Sequence, residues 1–187
     1  MIIQIFEILV ILLSIIILSI LQKYDKKSMK RYILIAIGVL IFELFTQPLW
    51  NNRGLDFWAY IYHDVSWILT LGWSSIIILS MFIVDKYVRI KETKKFFLYL
   101  LISGIFSIFA EALVLYLGIR QYSPEIYAVM SKIYIPILNV PIETLYYIPV
   151  FIALIIGFAR YFEMSFKKEL KVLDNLTKSD KRRRRKK

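Results

Sequence analysis

Ile2-Ile-Gln-Ile-Phe-Glu-Ile-Leu-Val-Ile-Leu-Leu-Ser-Ile-Ile-Ile-Leu-Ser-Ile-Leu21 is a twenty-residue apolar run, mostly isoleucine and leucine, whose only polar residues are Gln4, Glu7, Ser14 and Ser19. About 20 apolar residues are what a helix needs to cross the hydrocarbon of a bilayer. A cleaved leader would begin basic and end on small residues. This stretch begins acidic and runs into Leu21-Gln-Lys, so it is expected to stay as a first spanning helix. The 187-residue chain repeats the pattern and is 59% hydrophobic and 16% aromatic. Soluble domains are roughly 45–50% apolar, so this chain is read as a membrane protein.

Four more apolar runs follow, at 32–49, 57–84, 96–119 and 140–161. Pro48 and the interfacial Trp50 end the second. The third is too long for the apolar layer, and its aromatic start, Phe57-Trp-Ala-Tyr-Ile-Tyr62, reads as a belt residue cluster on a helix that protrudes or tilts. Ile126 to Leu138 is short for a span and meets the last run without a loop, so an interfacial or re-entrant segment is expected there. The expected fold is therefore an all-α, five-helix polytopic bundle over 1–161, followed by a basic tail over 162–187.

Charge placement sets the expected orientation. Of 25 Lys and Arg, 22 lie in two five-charge loops, 22–31 and 85–95, and from Arg160 onward; the rest are Arg53, Arg120 and Lys132. The positive-inside rule puts those loops and the C-terminus in the cytoplasm and the N-terminus outside. Five spans satisfy that parity. The net charge of +11 is thus a topology signal, and the closing Arg182-Arg-Arg-Arg-Lys-Lys187 suits anionic lipid rather than nucleic acid. With no cysteine and one histidine, His63, thiolate chemistry is excluded and a His-rich metal site or a Ser-His-Asp triad is not expected.

In this frame each span places one carboxylate in its outer half: Glu7, Glu43, Asp64, Glu111 and Glu143. Glu43 lies seven residues before Trp50, roughly 10 Å deep at 1.5 Å per residue. Glu7, near the chain start, is read as wet, and Asp64 as capped or paired with His63. Intramembrane carboxylates are costly and mark functional sites by default, which points to a shared outward-facing acidic cavity. Helical spacing puts Tyr60, Asp64, Trp67, Leu71 and Ser74 on one face of the third span, with His63 beside it. The same spacing aligns Gly104, Ser107, Glu111 and Gly118 on the fourth, and Glu143, Tyr146 and Tyr147 on the fifth.

Acids among aromatic rings suit two chemistries. A carboxylic acid could protonate a double bond, with ring faces stabilising the cation formed. The same acids could relay protons or cations in a small transporter or channel subunit. A third reading is a structural subunit whose acids pair with a partner's basic helix.

Leu117-Gly-Ile-Arg-Gln-Tyr-Ser-Pro-Glu125 and Asn139-Val-Pro-Ile-Glu-Thr-Leu-Tyr-Tyr147 resemble the lycopene cyclase domain of small membrane carotenoid cyclases. Gly118, Tyr122 and Pro124 match that family's upstream segment, and Pro141 and Glu143 its Pro-x-Glu core. Glu111 stands where the family often has a helix acid. Arg120, Thr144 and Asn139 depart from the pattern, replacing a tryptophan, a second acid and a glycine. The resemblance covers about residues 110–160. It implies an isoprenoid- or carotenoid-modifying enzyme, cyclase- or isomerase-like, in a cell membrane. Glu143 would be the acid, Glu43, Glu111 and Asp64 its partners, and Tyr60, His63, Trp67, Tyr122, Asn139, Tyr146 and Tyr147 the substrate contacts. No metal or cofactor is expected. The expected partners are membrane lipid and a hydrophobic isoprenoid-type substrate, with homo- or hetero-oligomers left open and nucleic acid not expected.

Overall fold

A computed structural model describes the backbone of residues 1–184 and side chains through Phe166, together with Lys168; most of the basic tail lies outside the described side chains. Five helices are long and apolar enough to cross a membrane. They are α1 (Ile2–Tyr24), α2 (Ser28–Thr46), α3 (Trp67–Tyr87), α4 (Glu92–Tyr116) and α6 (Thr144–Arg184), with the short α5 (Pro124–Val129) between the last two.

α3 is the central helix. In its most apolar stretch 61% of residues are buried, against 11% for α1, and it packs on α1, α2 and α4. α6 closes the bundle against α2 and α4. Burying one face of each helix and leaving isoleucine and leucine outward is the arrangement lipid permits, because every backbone group is satisfied within its own helix. Pro149, inside α6, removes one such bond, a defect helices in lipid tolerate when neighbours compensate.

One end of the bundle gathers the basic loops. There Arg31 Nε lies 2.8 Å from Glu163 Oε1, Lys95 Nζ 3.4 Å from Asp85 Oδ1, and Arg160 3.5 Å from Glu92. The Tyr99 hydroxyl also donates to Asp85 at 2.5 Å. The opposite end is covered by a cap of loops stitched by three two-stranded pairings. β1 (Trp50–Asn51) pairs with β4 (Gln121–Tyr122), β2 (Tyr60–Tyr62) with β3 (Val65–Ser66), and β5 (Tyr134–Ile135) with β6 (Val140–Pro141), all antiparallel.

The cap corrects the expected helix bounds. The third span does not begin at Phe57: residues 57–59 form a 3₁₀ turn, β2 and β3 make a hairpin, and the helix starts only at Trp67. Ser66 ends the hairpin and caps α3, its hydroxyl accepting from the Leu69 amide at 3.4 Å. Tyr60 and Asp64 therefore do not share a helical face with Trp67. α2 begins four residues earlier than expected and gives way at Gln47 to a 3₁₀ turn over Gln47–Leu49. α4 ends at Tyr116, which leaves Gly118 exposed in the turn beyond it with φ of 70°. The fifth span starts at Thr144, placing Asn139 and Glu143 in the cap. Ile126 to Leu138 makes no crossing: it is the end of α5 followed by the β5–β6 hairpin.

Gly54 pins the cap to the bundle. Its amide donates to the Ile119 carbonyl at 3.3 Å, and a Cβ there would stand 2.5 Å from the Gly118 oxygen. Only a residue without a side chain allows that approach.

Candidate functional site

The cap's underside holds a buried ion pair. Arg120 Nη1 donates to Glu111 Oε2 at 2.9 Å, with Glu111 0% and Arg120 3% exposed. Glu111 reaches the site from the last two turns of α4, and Arg120 folds back over it from the turn before β4. The remaining polar atoms are largely satisfied. Arg120 Nε donates to Asn52 Oδ1 at 2.8 Å, and Asn52 Nδ2 donates to the Asp64 carbonyl at 3.0 Å. Glu111 Oε1 accepts from Tyr147 at 3.1 Å and from Tyr122 at 3.3 Å, and the two phenols lie 3.0 Å apart. The guanidinium carbon sits 4.8 Å from the Trp50 ring centre and 5.8 Å from that of Trp73. Burial is the largest influence and works against the Arg120 charge, but Glu111 together with the other acidic groups around it keeps the group above its ordinary value. Burial first, then the Glu111 charge, pushes the Tyr122 phenol up. These tyrosines are hydrogen-bond donors.

Glu43 stands beside this pair in a different environment. It is buried, and Oε2 accepts from the Thr70 hydroxyl at 2.9 Å. Its Oε1 has no hydrogen-bond partner among the described residues. Glu43 faces a gap of about 10 Å³, walled by Phe42, Trp50, Trp73, Arg120, Tyr147 and Phe151. That is room for about one water molecule. Phe42 and Phe151 stand in its wall with ring centres 4.2 Å apart, and Trp73 meets Phe151 edge-on at 5.8 Å.

The other expected site residues lie elsewhere. Glu143 is half-buried beside the β5–β6 hairpin, its Oε1 accepting from the Ser131 amide at 2.6 Å. That backbone donor holds its carboxyl below the usual carboxylate value. It makes no hydrogen bond to Glu111, Glu43 or Arg120. Asp64 is buried at the hairpin turn and pairs with Arg53, at 3.1 Å, rather than with His63. His63 is exposed, with φ of 43°, against the edge of Tyr62. Tyr60 accepts from the Leu55 amide, and Trp67 donates to the Trp58 carbonyl, both at 2.9 Å. Asn139 and Tyr146 are exposed. Of the expected substrate contacts, Tyr122 and Tyr147 alone join the cluster. Glu7 corrects its expectation: it is fully buried and ties α1 to the cap by accepting from the Asp56 amide at 2.7 Å.

Arg120, Asn52, Trp50 and Thr70 were not legible as site residues. Arg120 had a signal, being one of three basic residues on the side opposite the basic loops and nine positions after a helix acid. Such a residue is the natural counter-charge for Glu111 once the chain turns back. No protein-family model matches the chain, and neither does any curated protein or solved structure.

Proposed function

We propose that this chain is a multi-pass cell-membrane protein, N-terminus outside and C-terminus cytoplasmic, that modifies an isoprenoid-type lipid by proton transfer. The supporting observation is the pairing of two unlike carboxyl groups under one cap. Glu111 is neutralised by Arg120 and two phenols, whereas Glu43 lines an aromatic gap and has one buried oxygen without a partner among the described residues. Environments that separate two acids divide their roles. Glu43 is the acid and Glu111 the fixed charge that balances Arg120. The environment of Glu143, a carboxylate held by a backbone amide, favours a structural role over the acid's role that the cyclase resemblance implies.

In the proposed step, the Glu43 proton adds to one carbon of a substrate double bond. The π pair forms the new C–H bond and leaves a cation on the neighbouring carbon. Phe42, Trp73 and Phe151 offer ring faces to that cation, and the new Glu43 carboxylate balances it. Loss of a proton from an adjacent carbon to Glu43 re-forms a double bond, so the sequence is an isomerisation or cyclisation with no net oxidation. The gap is too small for substrate as it stands, so Phe42 has to swing aside.

The test compares lipid and pigment extracts of cells carrying wild type, Glu43→Gln or Glu143→Gln. Wild type is expected to change the isoprenoid profile and Glu143→Gln to retain the change. Glu43→Gln should reduce it by about 10²–10⁴, the usual share of a general acid. An unchanged wild-type profile, or a fully active Glu43→Gln, overturns the proposal.

A second reading has its own observation. Tyr99, Ser103, Ser107 and Glu111 recur every four residues along α4, all 0% exposed, and both serine hydroxyls lack partners among the described residues. With Asp85 on Tyr99 and Arg120 on Glu111, this stripe joins acids near both ends of the bundle over about 18 Å. It suits proton movement. Dye-reported proton uptake into vesicles holding the purified protein, lost in Ser103→Ala/Ser107→Ala, would favour transport over the enzyme.

A further inference from the structure

At the end of the bundle where the basic loops gather, a cavity of about 310 Å³ lies between the end of α1, the start of α2 and the last turns of α3. Its wall is graded. Ile78, Phe82 and Asp85 follow one another down a single face of α3, about 10 Å of axis from the apolar to the charged residue. Leu21, buried, faces the same cavity from α1, and Asp25 lies one turn beyond it. The side formed by Arg31 and Asp85 is an ion network already complete. Arg31 pairs with Glu163 at 2.8 Å and lies 3.8 Å from Asp85, which also accepts from Tyr99. Two lining charges are left over, because neither Asp25 nor Lys86 has an ion-pair partner among the described residues. Asp25 Oδ1 accepts only from the Lys27 amide, at 2.9 Å. Lys86 Nζ stands 3.9 Å from the Tyr24 ring centre and 5.3 Å from that of Phe82, and both rings line the cavity.

We infer that this cavity binds the headgroup of a phospholipid carrying a primary ammonium, with the phosphate on Lys86 and Arg31 and the ammonium on Asp25. Charge complementarity selects that class. Arg31 and Lys86 give the lining two positive charges, and Asp25 and Asp85 two negative ones, so neither sign is in excess. A purely basic patch would collect any anionic lipid, whereas a neutral wall with one unpaired charge of each sign suits a headgroup that also carries both. A primary ammonium brings three N–H donors to a carboxylate, which a methylated one lacks. The volume stands at the lower end of the roughly 300–1,000 Å³ of ligand sites, room for a headgroup whose chains lie outside. The graded wall favours an amphiphile over a soluble phosphoamine, since Leu21, Ile78 and Phe82 continue the site toward the apolar spans. Arg31 is already held in place by Glu163, so receiving a phosphate costs it little further ordering. The site is at the opposite end of the bundle from Glu43 and Glu111 and does not depend on their proposed chemistry.

In the experiment the full chain in mixed micelles receives equal amounts of phosphatidylethanolamine, phosphatidylcholine and phosphatidylglycerol, and native mass spectrometry reads which lipid is retained. Wild type is expected to retain phosphatidylethanolamine over either competitor by about two- to fivefold, the range of one part-exposed ion pair. Asp25→Asn keeps an oxygen for the Lys27 amide but removes the charge, so the order should reverse in favour of phosphatidylglycerol. Lys86→Gln should lower retention of all three lipids. Lys94→Gln removes a cation from the same end that does not line the cavity, and it should change nothing. Lys86 and Lys94 are exposed and Asp25 half-exposed, so each variant should keep the wild-type unfolding midpoint. Equal retention of the three lipids by wild type, or an unchanged order in Asp25→Asn, overturns the inference. Excess glycerophosphoethanolamine, the headgroup without its chains, should fail to displace the bound lipid, and displacement overturns a lipid as the occupant.

Discussion

Removing either member of the Arg120–Glu111 pair strands a charge in a dry site, and the energy of that event can be worked from the geometry. In Glu111→Gln the guanidinium stays charged and 3% exposed with no counter-charge, left with the neutral amide oxygen at position 111, Asn52 at 2.8 Å and the faces of Trp50 and Trp73. Breaking a buried pair in this way costs about 3–5 kcal/mol. In Arg120→Met the Glu111 carboxylate keeps two phenol donors, at 3.1 and 3.3 Å. Its cost therefore falls near the low end, about 3 kcal/mol, with about 1 kcal/mol more for the Asn52 oxygen that loses its donor. The double variant Glu111→Gln/Arg120→Met leaves no charge behind and loses a few neutral hydrogen bonds, about 2–3 kcal/mol in all. The cycle should thus show a coupling of at least about 3 kcal/mol, at or beyond the upper end for neighbouring residues. Equilibrium unfolding in mixed micelles, followed by tryptophan fluorescence, measures it; Trp50 and Trp73, two of the four tryptophans, sit on the guanidinium and report locally. If the two single costs add to within about 0.5 kcal/mol of the double, the pair carries no special energy and the electrostatic account of the cap is wrong.

Gly54→Ala should lower stability by about 1–3 kcal/mol through overpacking, because its Cβ would meet backbone at 2.5 Å, whereas Gly104→Ala meets nothing within 4 Å and should be neutral in the same thermal melt. The Glu143 contact should weaken in acid. Its folded carboxyl lies below the ordinary value of 4.5, so its stabilisation is present above that pH and is lost as pH falls through the lower folded value. Protection of the Ser131 amide from exchange, taken relative to the intrinsic rate at each pH, should fall accordingly, and Glu143→Gln should abolish that pH dependence; unchanged protection in both would refute the contact. Because the chain has no cysteine, Lys132→Cys and Lys94→Cys test orientation without background. An impermeant maleimide should label the first in intact cells and the second only after permeabilisation, and the reverse order would invert the proposed topology.

The bundle was legible because its signal is one-dimensional. Twenty-residue apolar runs separated by basic loops leave few alternatives in lipid, and three of the five runs match helices to within a few residues; the last starts within four residues of its helix, which runs on past 161 to Arg184. The error at 57–66 has a specific cause. Phe57 to Tyr62 is as apolar as a helix, and hydropathy does not distinguish aromatic residues of a short strand from those of a spanning turn. Ser66, an N-cap residue directly before the true helix, was the available local sign. The site was half legible. Glu43 and Glu111 stood out because carboxylates inside apolar helices are costly, and Tyr122 and Tyr147 because they lie near the quoted motifs.

What the chain's order determined is the number of apolar helices, the end at which basic loops gather and the acids that sit inside apolar runs. These follow from hydropathy and charge counted along one dimension. Only the folded cap decided which acids meet. Arg120 reaches Glu111 because the chain reverses after Tyr116 and β4 pairs with β1, bringing Asn52 and Trp50 onto the same guanidinium. Glu143, the most conspicuous acid of the sequence, is instead drawn to a loop amide by a hairpin whose pairing no local pattern announces. Depth along a helix can be counted from residue numbers. The partner of a buried charge depends on how loops return, which is a tertiary property.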